Sequence, residues 1–240
     1  NIFFNCLTMS CMKISILISL LFLQNPSHAQ VVRIPDPNFK QRIIALGYDT
    51  NGDNQIQITE AQAVTKLSVD NLGIVNLEGI SHFINLEELN CYNNRLSSLD
   101  VSELKKLRSL YAFNNRIENL NINGLTELEY LYIQDNFFIG TLDVSKCSKL
   151  SELIFSNNKI QHIDVRGLNE LQKIEGDNNR LEDIRLRKAP LLKWISFKNN
   201  PVTPTIDIRA LTNLEYFNFE GCNLLFLNFS GTIKLKEYHW

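Results

Sequence analysis

A leucine recurs at residues 86, 107, 128, 150, 171, 192, 214 and 235, at intervals of 21, 21, 22, 21, 21, 22 and 21 residues. A period that short and that regular leaves few folds open. Each copy must be one supersecondary unit that cannot bury its apolar face alone and closes its core by stacking on its neighbours. Every complete copy opens L-x-x-[LIF]-x-φ-x-x-[NC], with φ apolar or small: LEELNCYNN, LRSLYAFNN, LEYLYIQDN, LSELIFSNN, LQKIEGDNN, LKWISFKNN and LEYFNFEGC. A degenerate copy, VTKLSVDNL, starts at Val64, and the last copy, LKEYHW, is cut short.

Within a copy the fourth and sixth positions are apolar and alternate with polar ones, the pattern of a short strand with one face inward. Stacked copies then give a parallel sheet. The ninth position is Asn94, Asn115, Asn136, Asn158, Asn179, Asn200 and then Cys222. A buried amide there can satisfy backbone groups where each strand ends, repeat after repeat. Leu96, Leu99, Val101 and Leu104 in the first full copy fill the core behind the sheet. The two 22-residue copies each carry one extra residue, before Leu142 and before Ile206, which predicts a bulge on the far side.

Charge and cysteine usage exclude several classes. The net charge is −2 with 44% hydrophobic and 21% charged residues, a globular composition without a basic block, so binding to a nucleic-acid backbone is not expected. Beyond Cys6 and Cys11 only Cys91, Cys147 and Cys222 remain, without metal-like spacing; all three read as buried thiols. No nucleophile elbow, phosphate loop or catalytic metal motif is present, so the chain is not expected to be an enzyme.

The N-terminal 29 residues read as a few upstream residues plus a signal peptide. Met12-Lys13 precedes the apolar run 14–23, and Ser27-His28-Ala29 suits cleavage before Gln30. The alternative, an uncleaved anchor over residues 2–23, would place Lys13 within the bilayer at high cost. The expected location is therefore secreted or at a cell surface, with no membrane span in the mature chain. The absence of an initial methionine and the incomplete last copy suggest a fragment, or a reading that runs upstream of the true start.

Residues 30–63 are expected to cap the array. Asp36 can cap a helix that starts at Pro37, carries Phe39, Ile43, Ile44 and Leu46 as its apolar stripe, and ends at Gly47. DTNGDNQIQITE, residues 49–60, is similar to the twelve-residue calcium loop of an EF-hand. Asp49, Asn51 and Asp53 occupy the side-chain ligand positions, Gln55 offers its carbonyl, Gln57 holds the ninth place and Glu60 the bidentate last place. Position six is Asn54 instead of glycine, and the second helix is short, roughly 60–64. The expectation is a weak structural calcium ion, with a Kd of about 10⁻⁴ to 10⁻³ M. A loop closed by its own Asx turns is the alternative.

Residues 64–90, VTKLSVDNLGIVNLEGISHFINLEELN, resemble the cap-to-repeat junction of internalin-type leucine-rich-repeat proteins. LEELNCYNNRLSSLDVS resembles the repeats of secreted leucine-rich-repeat proteins of the Bacteroidetes group. The resemblance covers about residues 35–240. It implies an α/β leucine-rich-repeat solenoid: a curved parallel sheet on a concave face, an irregular or 3-10 convex side, a small helical EF-hand-like cap over 30–63 and repeats over 64–240. It also implies protein recognition at a bacterial surface. Most repeats here have 21 residues, where internalins keep a uniform 22.

The third, fifth, seventh and eighth positions of each copy point outward from the sheet. They place Tyr92, Tyr111, Phe113, Tyr130 and Tyr132 on three adjacent copies, and Trp194 and Tyr216 on a second pair. Aromatics where the fold does not require them point to a ligand surface, although rings also stack across neighbouring strands for their own sake. The expected partner is a protein, with a glycan the alternative, bound by a monomer. A second functional reading is a targeting module of a larger secreted enzyme.

Overall fold

The computed structural model describes residues 30–240 apart from 187–188, 203–204, 210, 225, 229–230 and 233. The signal segment and the extra residue ahead of Ile206 (Thr203-Pro204) lie outside the described residues. Residues 32–240 form one compact unit. In chain order its elements are α1 (Pro37–Ala45), α2 (Ile58–Ala63), β1 (Lys66–Ser68), a 3-10 turn at Ile80–His82, β2 (Glu88–Asn90), β3 (Ser98–Asp100), β4 (Ser109–Tyr111), β5 (Asn119–Asn121), β6 (Tyr130–Tyr132) and β7 (Ile139–Leu142). There follow β8 (Glu152–Ile154), β9 (Lys159–Asp164), β10 (Lys173–Glu175), β11 (Asp183–Arg185), β12 (Trp194–Ser196), β13 (Thr205–Asp207), β14 (Tyr216–Asn218), β15 (Phe226–Asn228) and β16 (Glu237–His239).

One sheet runs the length of the array, nine parallel strands in the order β1-β2-β4-β6-β8-β10-β12-β14-β16. The register is set by the fourth position: Leu67 pairs with Leu89, Leu89 with Leu110, Leu110 with Leu131, and so on to Tyr238. Slipping one residue would turn every inward leucine to solvent, so the pattern fixes the pairing. The degenerate copy at Val64 supplies β1 and is a full member of the ladder. On the other side the chain, expected to be irregular or 3-10, is partly organised as short parallel strands: β3 with β5, β9 with both β7 and β11, and β13 with β15. Leu99 and Val101 are inward residues two apart, which suits extended backbone better than a helical turn. The 22-residue copy starting at Leu128 shows its extra residue as a register shift between Gly140 and Thr141.

The core is continuous from cap to last repeat. Leu86, Leu89, Leu96, Leu104, Leu107 and Leu110 are fully buried, each stabilising by roughly 1.5–3 kcal/mol on transfer from water. Size is traded between neighbours at the sixth position. A Cβ on Gly176 would sit 2.3 Å from Cζ of Phe155, so the absence of a side chain there makes room for that ring.

Asn94, Asn115, Asn136, Asn158, Asn179 and Asn200 are 2–9% exposed and form the ladder expected of them. In Asn136, Oδ1 accepts from Ile117 N (2.9 Å), while Nδ2 donates to Ala112 O (3.0 Å), Ile133 O (3.1 Å) and Gln134 O (3.2 Å). Each amide thus ties its own turn to the preceding repeat. Cys222 takes the same slot with its thiol on Phe197 O (3.1 Å). Cys91 and Cys147 are buried as expected, but Cys222 is only half-buried.

The cap works through its edge contacts. Asp36 accepts from Asn38 N and Phe39 N with one oxygen and from Val75 N with the other, so the helix cap also holds the first repeat. Arg42 donates to Ser68 O (2.9 Å) and Tyr48 to Lys66 O (2.8 Å). Those are carbonyls of the edge strand β1, which would otherwise invite pairing by another chain. Phe39 and Ile43 are buried and Ile44 partly so, but Leu46 is 36% exposed: it caps the C-terminus of α1 and falls outside the stripe. The second helix begins two residues earlier than expected, at Ile58.

Candidate functional site: the face of the long sheet

Positions three, five and seven of successive copies form columns on the outer face of the nine-strand sheet. Register brings Tyr111 beside Tyr132 in the fifth-position column, and the rings meet edge to face at 5.1 Å. In the seventh-position column Tyr92 and Phe113 stack at 4.5 Å with planes 4° apart. In the third-position column Trp194 and Tyr216 stack at 3.7 Å, and Lys173 Nζ lies 5.7 Å from the Trp194 ring. Tyr130 stands in register with Ser109 and Glu152. All five residues of the first aromatic group therefore share one end of the face, and the second group sits further along it.

Six of the seven aromatics are half-buried, and Trp194 is 38% exposed. Ring stacking explains the partial burial, and it leaves ring edges toward solvent while covering ring faces. Tyr132 donates its hydroxyl to Glu152; burial first, and then that carboxylate, push its pKa well above the ordinary tyrosine range. The charge of Asp70 pushes Tyr92 upward as well. Both stay neutral donors at physiological pH.

Beyond the first aromatic group the face also carries polar side chains that pair with one another. Lys173 meets Glu175 at 3.1 Å and Lys198 meets Glu220 at 2.7 Å. Asp177 accepts from the Ser196 hydroxyl (2.6 Å) and from Lys198 N (2.9 Å). Ser196, expected outward, is buried by that bond.

The eighth position has a different role from the other three. Asn71, Asn93, Asn114, Asp135, Asn157, Asn178 and Asn199 all have φ between 51° and 59°, and Gly221 continues the series at 72°. Only residues tolerant of the left-handed region serve there. Their side chains form a second, outer ladder: Asn93 donates to Asn71, Asn114 to Asn93, Asn157 to Asp135, Asn178 to Asn157 and Asn199 to Asn178. The unbroken run of Asn, Asp and Gly at one repeat position is the sequence signal for it.

The acidic loop at the cap closes on itself. Asp49 accepts from Gly52 N and Asn54 N, Asn51 from Asp53 N, and Asp53 from Gln55 N and the Gln57 amide. Glu60 accepts from Thr50 N, the Thr50 hydroxyl and Gln57 N at 2.7–2.9 Å. Burial raises the pKa of Glu60 and these donors lower it, leaving it below the usual carboxylate value. Asn54 has the left-handed backbone that its place demands, φ 59°. The Asp49, Asp53 and Glu60 oxygens are thus directed to loop donors. Among the described residues no three His, Cys, Asp or Glu side chains gather closely enough to hold a metal ion.

Among the described residues no helix is long and apolar enough to cross a membrane. A Leucine Rich Repeat family model matches residues 85–107. No curated protein matches the chain. Among solved structures the chain is similar to a leucine-rich-repeat protein of Leptospira interrogans (25% identity, TM-score 0.60, 70% of this chain and 46% of that one). It is also similar to a TDR receptor (22%, TM-score 0.61, 76% of this chain and 36% of that one). A further likeness is to the functional domain of InlJ from Listeria monocytogenes (20%, TM-score 0.41, 88% of this chain and 61% of that one). The chain thus spans less than two thirds of the length of each of these. With its period, its parallel ladder and its asparagine stack, the chain has the fold of a leucine-rich-repeat solenoid.

Proposed function

We propose that the chain is a non-catalytic recognition module, secreted or held at a cell surface, that binds a protein on the outer face of its long sheet. The fold supports protein binding in general. The observation that carries the finer reading is the placing of seven aromatics in third, fifth and seventh positions, where the core needs nothing from them. Stacked rings offer edges in preference to open faces. Sugar rings dock on open aromatic faces, so the arrangement favours a protein over a glycan. The test is binding of the chain to parallel protein and glycan arrays, repeated with Tyr130→Ala and with Tyr216→Ala. Protein ligands lost in both variants, with an unchanged thermal melt, support the reading. Ligands retained by both variants, or glycans alone, refute it.

A structural calcium ion in the loop at residues 49–60 belongs to the same proposal, resting on the ligand spacing Asp49, Asn51, Asp53, Gln55 and Glu60. The ion would take over oxygens that now accept loop hydrogen bonds. At 1 mM calcium and a Kd of about 10⁻⁴ to 10⁻³ M, binding adds roughly 0.4–1.4 kcal/mol. A calcium-dependent rise in melting temperature that Asp49→Ala removes supports it; equal melts with calcium and with chelator refute it.

A further inference from the structure

The tenth position of the first five complete copies, just past the buried asparagine, forms a column down one flank of the solenoid. It reads Arg95, Arg116, Phe137, Lys159 and Arg180, and all five side chains are exposed. Their placement is fixed by the backbone. Arg116 N donates to Leu96 O, Phe137 N to Ile117 O, Lys159 N to Phe138 O and Arg180 N to Ile160 O, at 2.8–3.0 Å, the same bond in each repeat. Each residue therefore lies one strand spacing from the next. The column spans about 19 Å at ~4.8 Å per step.

Along the sheet face and its neighbouring turns several surface cations are matched. Lys66 pairs with Glu88, Arg108 with Glu129, Lys149 with Glu127, Lys173 with Glu175 and Lys198 with Glu220. Among the described residues no carboxylate lies within 4.0 Å of Arg95, Arg116, Lys159 or Arg180, although Glu118 is only two residues from Arg116. The chain as a whole is net negative, so this row of four unpaired cations runs against its overall charge. At the centre of the row Phe137 is 45% exposed under Lys159, whose Nζ is 5.7 Å from the ring, and Ile139 beside it is 65% exposed.

We propose that this flank is a second docking surface, distinct from the sheet face, for an extended acidic segment of a protein partner that carries an apolar residue at its middle. Four cations in line supply charge complementarity along a strand-length track of about six residues. Phe137 and Ile139 supply an apolar contact that a uniformly charged polymer would not use.

The probe is a fluorescent twelve-residue peptide of alternating glutamate and serine with a central leucine, compared with its glutamine counterpart by anisotropy. The glutamate peptide is expected to bind at least about 10-fold tighter, with affinity falling as salt rises. Arg116→Glu with Lys159→Glu is expected to abolish that preference. Lys106→Glu, an exposed charge change off the flank, is expected to shift affinity less than about 2-fold. Phe137→Ser is expected to weaken binding about 3- to 10-fold with the salt dependence kept. Equal binding of the two peptides, or indifference to the double charge reversal, overturns the proposal. So does tighter binding to heparin or to phosphatidylserine vesicles than to the peptide.

Discussion

Replacing Asn136 by leucine removes one rung of the inner ladder while keeping side-chain volume. The wild-type amide makes one accepting bond, from Ile117 N, and with two amide hydrogens shares three carbonyls, Ala112 O, Ile133 O and Gln134 O. Asn136 is 4% exposed, so water does not replace these bonds. The stranded Ile117 N–H costs about 1–3 kcal/mol and the two donated bonds about 1 kcal/mol each, giving a loss of about 3–5 kcal/mol. Asn157→Gly is the internal control. It deletes two exposed bonds of the outer ladder, a donation to Asp135 and an acceptance from Asn178, but relieves a left-handed backbone (φ 57°), so its effect should stay within about 1 kcal/mol. Urea unfolding followed by circular dichroism gives both values. An Asn136→Leu loss below about 1 kcal/mol, or a loss equal to that of Asn157→Gly, would show that the inner ladder does not hold the repeats together.

Other consequences follow from single side chains. Gly176→Val should cost about 1–3 kcal/mol by driving a side chain into the Phe155 ring, and Phe155→Ala should recover part of that in the double variant; additive losses would contradict the contact. Burial pushes the Cys91 thiol to about 12 and the Cys147 thiol to about 11, while Cys222 rises less and is half-buried. Thiol labelling of the native chain at pH 8, read by peptide mass spectrometry, should therefore modify Cys222 well before the other two. Glu60 is held below its unfolded value, so its contribution is complete above about pH 4.5 and is lost as pH falls through the folded value. Hydrogen exchange of the cap should rise on acidification before that of the central repeats, and Glu60→Gln should flatten the difference.

The repeats were legible because one leucine pattern carries strand, register and core at once. Leu67 shows how far this reaches: even the degenerate copy at Val64 joins the ladder. The outer asparagine ladder was missed because the eighth position alternates outward with the seventh, and its Asn, Asp and Gly content reports backbone angle instead of exposure. The short strands on the far side were missed because two inward residues at Leu99 and Val101 give too brief a period to separate strand from irregular chain. The aromatic columns were readable by position, but their pairing was not: whether Tyr92 meets Phe113 or Tyr111 depends on neighbouring registers. For the loop at 49–60, spacing alone does not distinguish oxygens aimed at an ion from oxygens aimed at the loop's own amides.

The most direct test of recognition by the sheet face is site-specific photocross-linking. A photoreactive phenylalanine analogue placed at Tyr130 or Tyr216 reports on that face, and one at Glu103 or Ser148 reports on the far side, in the presence of a protein ligand taken from the array. The account predicts adducts from positions 130 and 216 and none from 103 and 148. Adducts from the far side alone, or equally from all four, would contradict it.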